Sequence, residues 1–248
     1  MKGAILMIVY LFDGSFEGFS TCIYYSYYNK LKPDAFISEE DFTYNFTYET
    51  LEIKTEYDKY DRVYNSLQDK LTYESLSRIY HLFLSCDDKN HIVLYNYIKL
   101  CFKFHKQVDL HLNNDTILLA HRLAKRVSFE AHRFTGFIRF TEVSKDLFYS
   151  KIAPDNNILS LILKHFVNRF SNLQFIIHDE KRELAIIYNG NDAIITKLNL
   201  ASVPSIKQGN YEKLWKSYFN SATISERENR RLQRGFMPKR YWNNLTEI

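Results

Sequence analysis

HFVNRFSNLQFIIHDEKR, residues 165 to 182, places His165 and Arg169 four residues apart and then sets His178, Asp179 and Arg182 within five positions of one another. At i, i+4 the first pair shares one face of a helix, and IIHD reads as the end of a strand. A helix and the strand that follows it usually pack together. The cluster is therefore a candidate acid-base and phosphate site, with His165, His178 and Asp179 moving protons and Arg169 and Arg182 clamping phosphate. The same residues also fit strand-end turn chemistry at His178-Asp179 and a hydrogen-bonded core histidine at His165. A metal centre is not expected, because two histidines and one aspartate lack the HxH or HxxxH spacing that ligation uses.

Two further segments concentrate cationic side chains. LAHRLAKRVSFEAHRFTGFIRF, residues 119 to 140, holds Arg122, Lys125, Arg126 and Arg133 on one broad helical face, with Glu130 as its one acid. Such a face either neutralises phosphates in register or is simply a solvated surface. ERENRRLQRGFMPKRYWNN, residues 226 to 244, follows a Ser225/Glu228 capping box, so a helix is expected to carry Arg227, Arg230, Arg231 and Arg234 before Gly235 ends it. Beyond it, Lys239 and Arg240 could meet phosphates and Tyr241 and Trp242 could stack on bases or guanidinium planes, while Met237, Tyr241, Trp242 and Leu245 could instead anchor the tail, with Pro238 fixing the turn.

The elements that must position these residues follow from periodicity. MIVYLF (7–12) reads as a buried strand, and Asp13, as a cap, opens a helix that runs through Tyr28. DGSFEGF carries neither GxGxxG nor a GKS element, so a phosphate loop is not indicated. Residues 34 to 56 form a polar excursion with a strand near LEIKTEY. From Asp58 to Ala131 the pattern is helical, Thr72 capping one helix. RFTGFIRF (133–140) and LFYSKIA read as strands around a Ser-Lys-Asp turn, and Asp155 is expected to N-cap the next helix. LQFIIHD, ELAIIYN and AIITKL then form an antiparallel meander with turns at DEKR and at Asn189 to Asp192. The last helical region is expected from Tyr211.

The expected fold is α+β, one domain over 1–248, with 1–131 mainly helical and 132–248 a mixed β-α-β-β-β layer closed by C-terminal helices. The formal charge of +4 hides an asymmetry. Ten acids against five Lys/Arg give the first sixty residues −5, leaving +9 for the remainder. Cys22, Cys86 and Cys101 show no CxxC spacing, so neither a disulfide framework nor a structural zinc site is expected. AILMIVYLF is too short to span a membrane and lacks a signal-cleavage site, so a cytoplasmic protein with no membrane partner is expected.

MIVYLFDGSFEGFSTCIY, EAHRFTGFIRF, HFVNRF with IIHDEKR, and LWKSYF with ERENRRLQRGFMPKRYWNNLTE together resemble a bacterial family of DNA-metabolism and DNA-repair proteins, a domain of unknown function without an assigned activity. The MPKRYW-type motif is the most specific part of the likeness. Similar proteins begin near Met7, so MKGAIL reads as an alternative start or an extension, and residues 34 to 118 carry no motif that matches. The resemblance implies a radical SAM partner encoded nearby and DNA as ligand, with RNA as the alternative. Some members are fused to a uracil-DNA glycosylase-like domain, whose chemistry is not expected here. No cofactor is expected, since three scattered cysteines do not make an iron-sulfur triad. An accessory DNA-binding factor is the leading expectation, an enzyme acting through the His/Asp/Arg cluster is the alternative, and an assembly protein whose basic surface meets an acidic protein is a third reading that charge alone does not discriminate.

Overall fold

A computed structural model describes residues 7–198 and 237–244. The chain divides into two compact units, Met1–Arg126 and Val127–Ile248, and the division falls inside one helix. The expected α+β class holds, with six α-helices and eight strands among the described residues.

In the first unit, β1 (Met7–Phe12) is the middle strand of a parallel sheet in the order β2 (Ala35–Ser38), β1, β3 (Tyr48–Glu52). Val9, Tyr10 and Phe12 on β1 are fully buried, and Phe19 and Cys22 of α1 (Phe16–Tyr28) join the same core. The N-cap of α1 is Ser15, two positions later than the cap expected from Asp13. Its hydroxyl accepts from Gly18 N at 2.9 Å. Asp13 instead braces the turn: Oδ1 accepts from Ser15 N, and Oδ2 from Thr55 Oγ1 at 2.7 Å. Burial raises its carboxyl pKa, and the bonds from Ser15 and Thr55 more than offset this, leaving it lowered. A Cβ on Gly18 would lie 2.2 Å from Asp13 Oδ1, which explains the glycine in SFEGF. The four-residue β2 inside the expected polar excursion was too short to register as a pattern.

Helices α2 (Tyr57–Lys70), α3 (Tyr73–Phe83) and α4 (Asn90–Phe104) follow, as the periodicity predicts. Thr72 caps α3, its hydroxyl accepting from Ser75 N at 3.2 Å. Thr72→Ala is expected to lower stability by about 1 kcal/mol in a urea titration, the usual effect of losing a hydroxyl cap. A 3₁₀ turn, His105–Leu110, then offers Asp109 to four donors from three helices. Ser75 Oγ (2.7 Å), Tyr97 OH (2.7 Å), His121 Nε2 (2.8 Å) and the Arg78 guanidinium converge on it. This hub ties α3 and α4 to the start of α5 (Asp115–Phe137).

In the second unit the sheet order is β4 (Thr141–Ser144), β5 (Leu147–Ile152), β6 (Gln174–Asp179), β7 (Leu184–Tyr188), β8 (Ala193–Lys197). β5 and β6 are parallel, joined by α6 (Leu159–Arg169), while the other neighbours are antiparallel. Asp146 (φ 60°) and Gly190 (φ 97°) take the left-handed conformations that the first and last hairpin turns need.

Two local expectations are corrected. RFTGFIRF does not open as a strand: α5 continues to Phe137, because Phe134 and Ile138 bury a helical i, i+4 pair that outweighs the β-forming residues around Gly136. Asp155 does not cap α6, whose N-cap position is Ile158 without a side-chain bond. The expected helices from Tyr211 and Ser225 lie outside the described residues, and a short 3₁₀ segment, Lys239–Asn244, closes the described chain.

Candidate functional site

The second unit is organised around a buried anion. Glu130 sits on the apolar stripe of α5, near Val127, Ala131 and Phe134, and is only 6% exposed. Its carboxylate accepts from Asp155 N (2.7 Å), Asn156 N (2.9 Å), Asn156 Nδ2 (2.6 Å) and the Tyr241 hydroxyl. Four donors aimed at two oxygens call for an ionised carboxylate, which is acceptor-only. Glu130 thereby holds two separate pieces of chain: the loop from β5 to α6 and the C-terminal MPKRYW segment.

Tyr241 is the anchor of that segment. It is 3% exposed and its ring meets Phe134 edge-on at 5.0 Å. Burial, reinforced by the bond to Glu130, pushes its phenol pKa up, so it remains a neutral donor. Arg240 Nη2 donates to Asp155 Oδ2 at 2.9 Å and to the Tyr241 oxygen at 3.0 Å. Lys181 Nζ reaches the other Asp155 oxygen at 3.1 Å. Asp155, released from a capping role, thus bridges two cations.

Arg182 closes the network from below. Its guanidinium meets Asp179 Oδ2 at 2.7 Å and donates to the Pro154 and Asp155 carbonyls. Asp179 has no exposed surface, and burial raises its carboxyl pKa against the opposing pull of Arg182. His178 has no exposed surface either, and side-chain alternation turns it to the opposite face of β6 from Asp179. Its Nδ1 pairs with Tyr149 OH at 2.9 Å, while Nε2 has no hydrogen-bond partner. Burial, with the charge of Glu180, pushes the Tyr149 phenol up to about 12.

The sequence-expected cluster therefore separates. His178 and Asp179 are sealed on two faces of the sheet, and Arg182 is committed to Asp179. His165 and Arg169 are exposed on α6, against the rings of Phe166 and Phe170. In the first unit Arg122, Lys125 and Arg126 are exposed on α5, and in the second Arg133 is half-buried. Lys239 is exposed 5.9 Å from the Trp242 ring centre, and Trp242 Nε1 donates to Met237 O at 2.9 Å. Arg227, Arg230, Arg231 and Arg234 lie outside the described residues. Among the described residues no group of three or more His, Cys, Asp or Glu could hold a metal ion, and no helix is long and apolar enough to cross a membrane.

The residues that sequence reasoning passed over are Glu130, Asp155, Asn156 and Tyr149. Glu130 left a signal: it is the one acid in a basic segment and stands where α5 otherwise places apolar residues. EAHRF, IIHDEKR and MPKRYW, three of the blocks that carry the family resemblance, meet in this network. Residues 88–247 match a family described as a domain of unknown function, DUF4130. The chain belongs to that family. No curated protein and no solved structure matches it. Every member of the Glu130 network falls inside the DUF4130 span, whereas the Asp13 turn lies before it.

Proposed function

We propose that this protein is a nucleic-acid-binding accessory factor of DNA metabolism or repair, working with a radical SAM partner encoded nearby. The observation that carries the reading is the seating of the MPKRYW segment. Tyr241 is locked onto Glu130, while Lys239 and Arg240 are exposed around the half-buried Trp242 and Arg240 shares Asp155 with Lys181. Cations stacked on indole and phenol rings are the surface chemistry that tracks phosphates and meets bases. The Arg240–Asp155 pair is exposed on both sides, so it contributes little to stability and phosphate can compete for the guanidinium. The resemblance described above supplies DNA metabolism, the radical SAM neighbour and the glycosylase-like fusions as context.

A catalytic role for His165, His178 and Asp179 has less support. Acid-base chemistry needs groups a substrate can reach, and two of these three are sealed from solvent.

The test is an anisotropy titration of labelled single- and double-stranded DNA against the full chain over a range of salt. Replacing Lys239, Arg240 and Trp242 together by Ala is expected to weaken binding by about ten-fold or more at low salt and to flatten the salt dependence by about two phosphate contacts. Unchanged affinity in the triple variant overturns the MPKRYW segment as the binding surface. The same titration with Arg230, Arg231 and Arg234 changed to Ala reads the contribution of the preceding arginines. Co-purification with the radical SAM protein, with and without DNA, tests the partnership.

A further inference from the structure

The Glu130 network lies at the C-terminal end of the parallel β5–β6 pair. Near the opposite end, Phe140, Phe148, Phe170, Leu173 and Phe175 line a cavity of about 160 Å³. That volume is of the order that a single benzene-sized ring fills. Phe175 is buried, and the other four are half-buried, so the cavity opens to the surface.

Its chemistry narrows what can enter. None of the five side chains can form a hydrogen bond. Phe140 meets Phe170 at 75° and Phe175 at 65°, and Phe170 meets Phe175 at 68°. These rings therefore offer no parallel pair between which a planar base could be sandwiched. A nucleobase would face its polar edge onto carbon and lose its bonds to water, whereas an apolar side chain has nothing to lose there.

The surroundings give the charge. α6 contains no acidic residue, and its exposed positions are Lys164, His165, Asn168 and Arg169. Arg169 ends this row with its guanidinium 5.8 Å from the ring centre of Phe170, one of the cavity walls. The strand side differs: Glu142 stands opposite Phe148 across β4 and β5. Arg169 thus supplies a cation at the helix side of the mouth.

We infer that this cavity is a docking pocket for one apolar anchor, aromatic or long aliphatic, carried by an acidic segment of a partner protein whose carboxylates lie along α6. A buried anchor in a small pocket with a charged margin is how compact protein interfaces concentrate their affinity. The inference goes beyond the nucleic-acid reading and does not rest on it: it uses the other end of the sheet, and binding is expected with no nucleic acid present.

The test uses the full-length protein, isotope-labelled for NMR, and three capped pentapeptides: Glu-Glu-Phe-Glu-Glu, the same peptide with Ala for Phe, and Lys-Lys-Phe-Lys-Lys. The acidic Phe peptide is expected to shift Phe148 and Leu173 resonances saturably. The Ala peptide should bind at least about ten-fold more weakly, since it lacks the ring to bury. The basic peptide should also bind more weakly, and Arg169→Glu should narrow or invert that preference. Arg169 is exposed, so this variant keeps the fold. Leu173→Trp fills the cavity and should abolish binding, with a dispersed spectrum as the folding control; should it unfold, the Arg169→Glu comparison decides alone. Equal binding of the Phe and Ala peptides overturns the pocket. Shifts of Phe148 and Leu173 by a short oligothymidylate but not by the acidic Phe peptide overturn the protein partner in favour of a base.

Discussion

Glu130→Ala is expected to lower the unfolding free energy by about 3–5 kcal/mol, because it leaves several buried donors without an acceptor at about 1–3 kcal/mol each. The substitution deletes the acceptor for two backbone amides, the Asn156 side-chain amide and the Tyr241 hydroxyl at one stroke. Bonds to a charged group each contribute more than neutral ones, and buried donors left without an acceptor bear their full desolvation penalty. Glu130→Gln separates charge from shape. It keeps one acceptor oxygen but turns an amide donor toward other donors, so it should fall between Ala and the native residue. Tyr241→Phe removes one donor and should cost about 1–2 kcal/mol, with faster amide exchange in residues 239–242 as its distinguishing sign. Urea unfolding followed by circular dichroism measures all three. A Glu130→Ala protein within about 1 kcal/mol of native would mean that solvent replaces the carboxylate, and Glu130 would cease to be the keystone of this unit.

That network also shows what a one-dimensional pattern carries. Helical and strand periodicity identified β1, α1 through α5, β5 and the β6–β7–β8 meander, because each has a continuous apolar face and turn residues at its ends. The pattern misjudged residues 133–140, where β-forming aromatics alternate with polar residues while Phe134 and Ile138 still answer to a helical core. It misjudged Asp155 for a related reason. Asp before an apolar helix is normally a cap, and only contact with residues 26 and 85 positions away in sequence, Lys181 and Arg240, gives its carboxylate another use.

The site was legible in its parts and not in its assembly. Of the tail aromatics, expected either to anchor the chain or to stack on bases, Tyr241 is buried against Glu130, while the arginines expected on the helix before it lie outside the described residues. His178 and Asp179 looked like a dyad because adjacency in sequence resembles adjacency in space, but on a strand consecutive side chains point to opposite faces. Arg182 counted as a free cation until its partner was known. Charge in a sequence is a sum, while charge available to a ligand is what remains after buried carboxylates have taken theirs.

Arg182→Met is expected to destabilise the protein by about 3–5 kcal/mol near neutral pH, because it strands a carboxylate that has no contact with solvent. The pH dependence gives the sign. Burial already raises the Asp179 carboxyl pKa above its ordinary value, and the Arg182 charge and hydrogen bond oppose that rise. A carboxyl raised in the folded state binds its proton more tightly there than in the unfolded chain. Its stabilising contribution is complete below the ordinary carboxylate range and is lost as pH climbs through the raised value. Removing Arg182 lifts the folded value further, so the loss with rising pH grows and its window extends upward. The gap between Arg182→Met and the native protein should therefore be small at about pH 4–5 and widest at about pH 7–8. Asp179→Asn combined with Arg182→Met removes the charge that needed a partner. The double variant should recover most of the lost stability at neutral pH and flatten the profile, a coupling that a mere packing defect at Arg182 would not produce. A gap of equal size at both ends of the pH range would show that Asp179 is not the group Arg182 neutralises.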